Sequence, residues 1–391
     1  MKKFNYKAII IVAIILISSI TTEKAYSQWT ILREDADTLI RTGTNYIYNL
    51  DFDKASKCFK EVIAKYPDNP AGYFLDAMIE WWKITLYRES ETIDKAFLDK
   101  IQKVLDVSER RLQKNKFDIT GLFFKGGALG YRGRFYSIRT KWMNAIYDGH
   151  DGFNILVECW KLAPGNHDIM LGTGIYNYFA EVLPKKYPAL KPLTTFLPEG
   201  DKNIGLLQLE AASKNARYSA IEAKVILLQI YYQFEEDFPK SLNVAQQLYS
   251  AYPNNPYFHR YLGRSYVALG NMVKWEETWR EILKRCIDKK LGYDRLTSRE
   301  ALYYVGTGLM YHNDLENALK YFYKCDEACR ALDKDGPSGF MVRTNLYIGQ
   351  IYDRQGKRNF AVEQYKKLIQ WKDYQGSRAD AERYMQKPYG Q

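Results

Sequence analysis

The chain has 391 residues, with 57 Lys+Arg against 46 Asp+Glu, 46% hydrophobic and 15% aromatic residues, 25 Gly, 12 Pro and 5 Cys. A mean hydropathy of -0.44 excludes a polytopic membrane protein, the few cysteines exclude a disulfide-dense scaffold, and the apolar fraction excludes a disordered chain. What remains is a basic, tyrosine-rich globular or repeat protein with a net charge of +11.

Residues 1–27 read as an export leader. Lys2, Lys3 and Lys7 precede an apolar-to-small run from Ala8 to Ile20, and a polar stretch then closes on Ala25, Tyr26 and Ser27. This is the charged, apolar and small-residue plan of a secretory signal peptide. The apolar run is 13 residues long, short of the ~20 that a spanning helix requires. Cleavage after Ser27 is expected, with no cysteine nearby to take a lipid. The mature chain would then start at Gln28, carry a charge of +8 and keep no stable membrane anchor. The expected location is exported, either periplasmic or extracellular. There a basic surplus points to anionic glycans, lipid headgroups or acidic protein segments, with no nucleic-acid partner expected; the plainer alternative is a solvated basic surface.

From Gly43 the chain places Tyr46, Ala55, Phe59 and Pro67 at intervals of three, twelve, sixteen and twenty-four residues. These are the spacings of a tetratricopeptide repeat. Small residues mark where two antiparallel helices cross closely, aromatic residues fill the interface, and proline ends the second helix. The frame recurs at Gln229 (Tyr232, Ser241, Ala245, Pro253), at Gly263 (Leu262, Tyr266, Trp275, Trp279), at Gly306 (Ala318, Phe322) and at Gly349 (Tyr352, Ala361, Tyr365). The last two steps are 43 residues each, so longer second helices, or loops near Lys289–Arg295 and Lys334–Gly339, must absorb the surplus. Between the first copy and the later ones, helical periodicity runs through Leu75–Trp82, Ile101–Leu112, Leu122–Trp142 and Phe153–Leu162. The expected fold is all-α, an α-solenoid of tetratricopeptide-like helix pairs. Its divisions are N-terminal helical repeats over 28–183, a proline-rich bend over 184–204 and C-terminal repeats over 205–391. Pro184, Pro188, Pro192 and Pro198 crowd the bend, so no helix is expected to run through it. It reads as a connector or as the lid of a groove.

Residues 172–232 carry a narrower pattern. Gly172 and Gly174 open a helix with Tyr176 and Phe179, followed by Leu183-Pro184, the Gly200-Asp201 turn, Gly205-Leu206, Leu209 and Ala220, then an apolar helix through Leu228 and Tyr231. This stretch resembles the tetratricopeptide-repeat family that includes the fungal inclusion-body-clearance protein and its animal relatives. The resemblance implies an all-helical, non-catalytic scaffold, while the export leader departs from that family and argues against a cytosolic role.

Catalytic constellations are scarce. The four histidines, His150, His167, His259 and His312, form no HExxH pair, and there is no CxxC, Walker loop or GxSxG elbow. His150-Asp151 and His167-Asp168 could share a metal only if their segments met, and capping explains each Asp more simply. Cys58, Cys159, Cys286, Cys325 and Cys329 read as core thiols. No enzyme activity, metal or cofactor is expected.

In tetratricopeptide arrays the residues six and three before the glycine position, and one, four and five after it, face the concave side. That frame selects Tyr257, Arg260 and Arg264 with Val267 and Ala268, then Glu300, Tyr303, Met310 and Tyr311, then Arg343, Leu346, Gln350, Asp353 and Arg354. From these, the groove residues expected to contact a partner are Tyr257, Arg260, Arg264, Tyr303, Tyr311, Arg343, Gln350 and Arg354. Arginine forks onto carboxylates and tyrosine offers rigid contact area, so an acidic peptide or chain terminus is the expected guest. The Gln229 copy instead selects Ala223, Ile226, Ile230, Gln233 and Phe234, a nearly all-apolar face that should be covered. The alternative function is a glycan- or lipid-binding envelope protein that stacks ligands on exposed aromatic residues, with Trp81, Trp82, Trp275 and Trp279 among the candidates.

Overall fold

The computed structural model describes residues 34–195 and 197–391; the leader expected over 1–27 and the start at Gln28 lie outside them. Among the described residues every regular element is helical, and α-helices follow one another with short turns. They are α1 (Glu34–Tyr48), α2 (Phe52–Lys65), α3 (Pro70–Leu86), α4 (Asp94–Lys114), α5 (Ile119–Ile138), α6 (Trp142–Leu162) and α7 (His167–Lys186). A 3-10 turn (Pro188–Leu190) and the short α8 (Lys191–Thr194) lead to α9 (Lys202–Asn215) and α10 (Ala220–Gln233). The chain continues with α11 (Phe238–Ala251), α12 (Pro256–Ala268), α13 (Met272–Ile287), α14 (Arg295–Tyr311), α15 (Leu315–Leu332), α16 (Gly339–Arg354), α17 (Arg358–Leu368) and α18 (Ser377–Gln386). The all-α repeat fold is therefore observed. The residues gather into two compact units that divide between Gln229 and Ile230, with the 184–204 segment inside the first.

The glycine of each repeat works as its sequence position implies. A Cβ at Gly43 would meet the Phe59 ring at 2.5 Å, one at Gly263 the Trp279 ring at 2.8 Å, and one at Gly306 the Phe322 ring at 2.9 Å; at Gly349 the same obstacle is the Tyr365 ring. All four rings are essentially inaccessible. The first helix therefore lies directly on an aromatic plate of the second. Helix starts are fixed by the same chemistry in distant copies: Asn69 and Asn255 each cap a helix whose first residue is proline, accepting the N–H of Ala71 at 2.9 Å and of Tyr257 at 3.0 Å. The 43-residue steps take up their surplus as the spacing requires, with 16 and 18 residues in α13 and α15 against 14 in α11.

The turn between paired helices also repeats. The residue seven after the glycine position has positive φ at Leu50, Thr140, Glu236, Gly270, Asn313 and Gly356. At Leu50, Thr140, Gly270, Asn313 and Gly356 its N–H and the next one bond back to the last turn, as in Leu50 N to Ile47 O at 2.9 Å and Asp51 N to Tyr46 O at 2.9 Å. This is a Schellman closure, and it holds non-glycine residues there because two hydrogen bonds and the packed helices offset a strain of about 1 kcal/mol. Thr140 breaks the helix expected over Leu122–Trp142. Lys141 N bonds to Tyr136 O at 2.8 Å, α5 ends, and Trp142 begins α6.

Two further expectations are corrected. Helix α7 runs through Pro184 to Lys186; proline is tolerated because it lies in the final turn, where only one backbone bond is lost. Trp275 and Trp279 both lie in the core, but only Trp279 sits under the Gly263 crossing, while Trp275 reaches the next pair and donates its indole N–H to Tyr304 O at 3.1 Å.

Candidate partner groove

In both units the first helices of successive pairs touch directly, α1 with α3, α3 with α5, and α14 with α16. Their shared side is where the concave residues were expected. In the unit up to Gln229 that side is filled by the chain itself. Phe74 meets Tyr131 at 5.6 Å and Phe124 at 5.5 Å, Trp81 meets Tyr131 at 5.3 Å, and the Arg134 guanidinium lies over Trp81 at 4.6 Å. Arg134 also reaches the buried Glu222 carboxylate at 3.3 Å, to which Tyr48 donates its hydroxyl at 3.5 Å. Helix α1 is further tied by Arg217 to Asp37 at 2.9 Å. Residues some 180 apart in sequence thus close this unit on itself, leaving its inward side occupied.

The unit from Ile230 keeps more of its inward side available, though not at every expected residue. Arg264 and Arg260 of α12 converge on Glu300 of α14: Arg264 Nη2 is 2.8 Å and Arg260 Nε 3.2 Å from the same oxygen, and the Glu300 side chain is 3% exposed. Burial alone would raise this carboxyl, but the two guanidiniums outweigh it and hold the group below its ordinary value. These two arginines, expected to grip a guest, are already spent on an internal carboxylate. Tyr257 packs on Tyr261 at 4.9 Å. Gln350 is buried at 6% exposure and reaches no groove. Arg354 is exposed, but it braces the α14–α15 turn through the Asn313 side chain at 2.6 Å.

Two of the expected residues do come together, with a third in electrostatic reach of Arg343. Arg343 of α16 lies over the Tyr347 ring at 5.1 Å and donates to its hydroxyl at 2.9 Å. Tyr303 of α14 stacks on Tyr347 at 6.0 Å, and burial pushes its phenol well above the ordinary range. Tyr311, at the end of α14, is 68% exposed and edge-on to Trp275 at 5.9 Å. Arg343 has only these phenols as partners among the described residues, with no carboxylate in ion-pair reach. Tyr347 was missed by the sequence frame because it stands two residues before Gly349, between inward positions. The Glu300 clamp was legible in principle, since Glu300 occupies the inward position of the neighbouring repeat.

Other expected chemistry resolves into structure. Asp168 accepts the N–H groups of Arg217, Tyr218 and Ser219 at 3.2, 2.9 and 2.8 Å, securing the start of α10. His259 is buried, 4.4 Å from the Tyr249 ring and 3.0 Å from the Tyr293 hydroxyl, and burial, reinforced by Arg285, lowers its pKa to about 3. All five cysteines are free. Among the described residues no group of three or more His, Cys, Asp or Glu could hold a metal ion, and no helix is long and apolar enough to cross a membrane. Trp81, Trp82, Trp275 and Trp279 are all buried at 5% exposure or less, so they offer no stacking surface to a glycan. The residues that carry the 172–232 pattern are packing residues: Gly174 and Gly205 bring α7 and α9 into backbone contact, and Asp201 caps α9 through the N–H groups of Asn203 and Ile204.

The tetratricopeptide repeat family matches residues 37–69, which span α1 and α2. No curated protein matches the chain. Among solved structures, a human IFIT1 dimer with PPP-AAAA is 13% identical, over 82% of this chain and 69% of that one, at a TM-score of 0.43. The APC/C hetero-tetramer Cut9-Hcn1 is 11% identical over 90% and 76%, at 0.42, and the P58(IPK) TPR domain is 14% identical over 86% and 83%, at 0.26. Likenesses this distant assign no ligand to this chain. The class defined by the helices and the matched repeat is a tetratricopeptide-type helical repeat protein.

Proposed function

We propose that this protein is an exported, non-catalytic repeat scaffold whose unit from Ile230 takes an acidic protein segment or peptide along its first-helix face. The observation that carries the reading is Arg343, a half-buried cation held by tyrosine alone, within electrostatic reach of the exposed Tyr311. A guanidinium in that setting is incompletely hydrated and has forked donors to spare, so a carboxylate gains more from it than from a solvated lysine. Export rests on the pattern of residues 1–27, and the absence of catalysis on the lack of motif-spaced nucleophile, base and metal sets in the sequence. The likeness of 172–232 to the inclusion-body-clearance family supports a scaffold as well.

The test is direct binding. Protein starting at Gln28 is titrated with acidic, neutral and basic peptide pools and with an oligoribonucleotide, beside Arg343→Glu, Tyr311→Ala and Arg354→Ala variants. Acidic peptides should bind and lose about ten-fold or more in affinity with Arg343→Glu, with little change for Arg354→Ala. Peptide binding indifferent to Arg343, or oligoribonucleotide binding that Arg343→Glu abolishes, would overturn the assignment. Export is tested by cell fractionation with and without residues 1–27.

A further inference from the structure

Among the described residues up to Gln229, four of the eight exposed large apolar side chains lie at one end of the α6–α7 pair. Trp142 is 39% exposed, Met143 40% and Tyr147 54%, all in the first turns of α6, and Tyr187, just past α7, is 48% exposed. The Phe153–Tyr176 stack, with centroids 3.8 Å apart and planes 11° from parallel, sets the register of this antiparallel pair. Trp142 lies eleven residues before Phe153, and Tyr187 eleven after Tyr176, so both are at the same end. Met143 and Tyr147 are one turn apart on a single face. The α8 turn packs on both α6 and α7 and completes this end.

Lysines rim the apolar group. Lys141, Lys185, Lys186 and Lys191 are all exposed, and among the described residues neither Lys141 nor Lys191 has a carboxylate in ion-pair reach. The acids of the neighbouring segment are largely committed: Glu181 bonds Lys185 at 2.6 Å and the Lys202 N–H at 2.6 Å, and Asp201 caps α9. That leaves Lys141 and Lys191 as the rim cations without a carboxylate in ion-pair reach among the described residues, although Glu89 and Glu91 act on the neighbouring Arg139.

We propose that this end of the α6–α7 pair is a docking surface for an anionic lipid bilayer. Tryptophan and tyrosine settle at the headgroup level with the apolar body inward and the polar tip outward, methionine enters the acyl boundary, and lysine stems lie along the apolar surface with their ammonium groups on the phosphates. A second copy is the poorer occupant, because a two-fold contact would set the lysine rim against itself. A sugar is poorer too, since Met143 provides no flat stacking face. The surface and Arg343 belong to different units, and the proposal does not depend on the peptide-binding reading.

The test uses protein from Gln28 with phosphatidylcholine vesicles, with and without phosphatidylglycerol, some carrying brominated acyl chains. Binding should require phosphatidylglycerol and fall with added salt. The brominated chains should quench part of the tryptophan emission, and that part should vanish in Trp142→Phe but persist in Trp160→Phe, whose residue is exposed at the far end of α6. A Lys141→Glu/Lys191→Glu variant leaves the apolar residues in place and should bind at least about ten-fold more weakly. Met143→Ser/Tyr147→Ser should do likewise at unchanged circular dichroism. The proposal is overturned by absent binding, by equal binding to neutral vesicles, by quenching that survives Trp142→Phe, or by a dimer that these variants dissolve.

Discussion

The two units bring helices together by different means. From Ile230 on, each close crossing sets a glycine against a ring, Gly263 on Trp279, Gly306 on Phe322 and Gly349 on Tyr365. Up to Gln229 the Gly43–Phe59 crossing is of the same kind, but other crossings set backbone against backbone: a Cβ at Gly152 would meet Gly126 O at 2.9 Å, and one at Gly205 would meet Tyr178 N at 2.6 Å. A ring can tilt or slide by tenths of an ångström, whereas a main chain locked in helical hydrogen bonds cannot. The inward sides differ in the same sense. Up to Gln229 that side is closed by Phe74, Trp81, Tyr131 and the Arg134–Glu222 pair; from Ile230 on it keeps Arg343 and Tyr311 accessible. Rigid glycine-on-backbone crossings accompany the self-filled unit, and the unit that presents a face relies on glycine-on-ring crossings.

The sharpest way to break this contrast is to remove one arginine from each unit. Arg134→Met strands the buried Glu222 with phenols as its remaining partners and should cost about 3–5 kcal/mol, read by urea unfolding. Arg264→Met should cost about 2 kcal/mol, because Arg260 stays on Glu300. Equal losses would show that the two carboxylates are held alike. Next come the glycines. Gly205→Ala should lose about 3 kcal/mol, and Gly306→Ala about 1 kcal/mol after its helix-propensity gain, since only the Phe322 ring must yield.

A pH experiment isolates the unit from Ile230. His259 has its pKa lowered to about 3 in the fold, against about 6.5 when unfolded. Below pH 6.5 the unfolded chain takes up a proton that the fold refuses, so stability is full above that value and falls as pH drops toward 3. The loss should reach about 2 kcal/mol by pH 5, a window above the titration of the paired carboxylates. His259→Gln should flatten this slope; an unchanged slope would place the titrating group elsewhere. The smallest effect belongs to Arg343→Ala, which should shift stability by no more than about 0.5 kcal/mol while weakening acidic-peptide binding, because no buried carboxylate depends on it.

Much of the fold was legible because steric rules act at fixed offsets: glycine and an aromatic residue sixteen apart located α1–α2, α12–α13, α14–α15 and α16–α17. The pair α5–α6 escaped notice for a physical reason. Its glycine position is Gly133, with Tyr136 and Ala145 at the usual intervals, but Gly149 stands where the ring should be, and the helices approach until a Cβ at Gly133 would meet Gly149 N at 3.2 Å. A search for glycine–ring pairs cannot see a glycine–glycine one. The Schellman turns were hidden likewise, because Leu50 and Thr140 are not residues that advertise positive φ as glycine does.

The sequence by itself determined the helices, their pairing and the inward frame, because periodicity, capping and small-to-large matching act over a few tens of residues. Which inward arginines stay accessible was decided only by tertiary structure. Arg260, Arg264 and Arg343 are alike in sequence, and a carboxylate from the next first helix, contributed through Glu300 to the first two and absent at the third, separates internal ion pair from open cation. That outcome depends on Coulomb attraction between helices about forty residues apart, a relation that spacing along the chain does not encode.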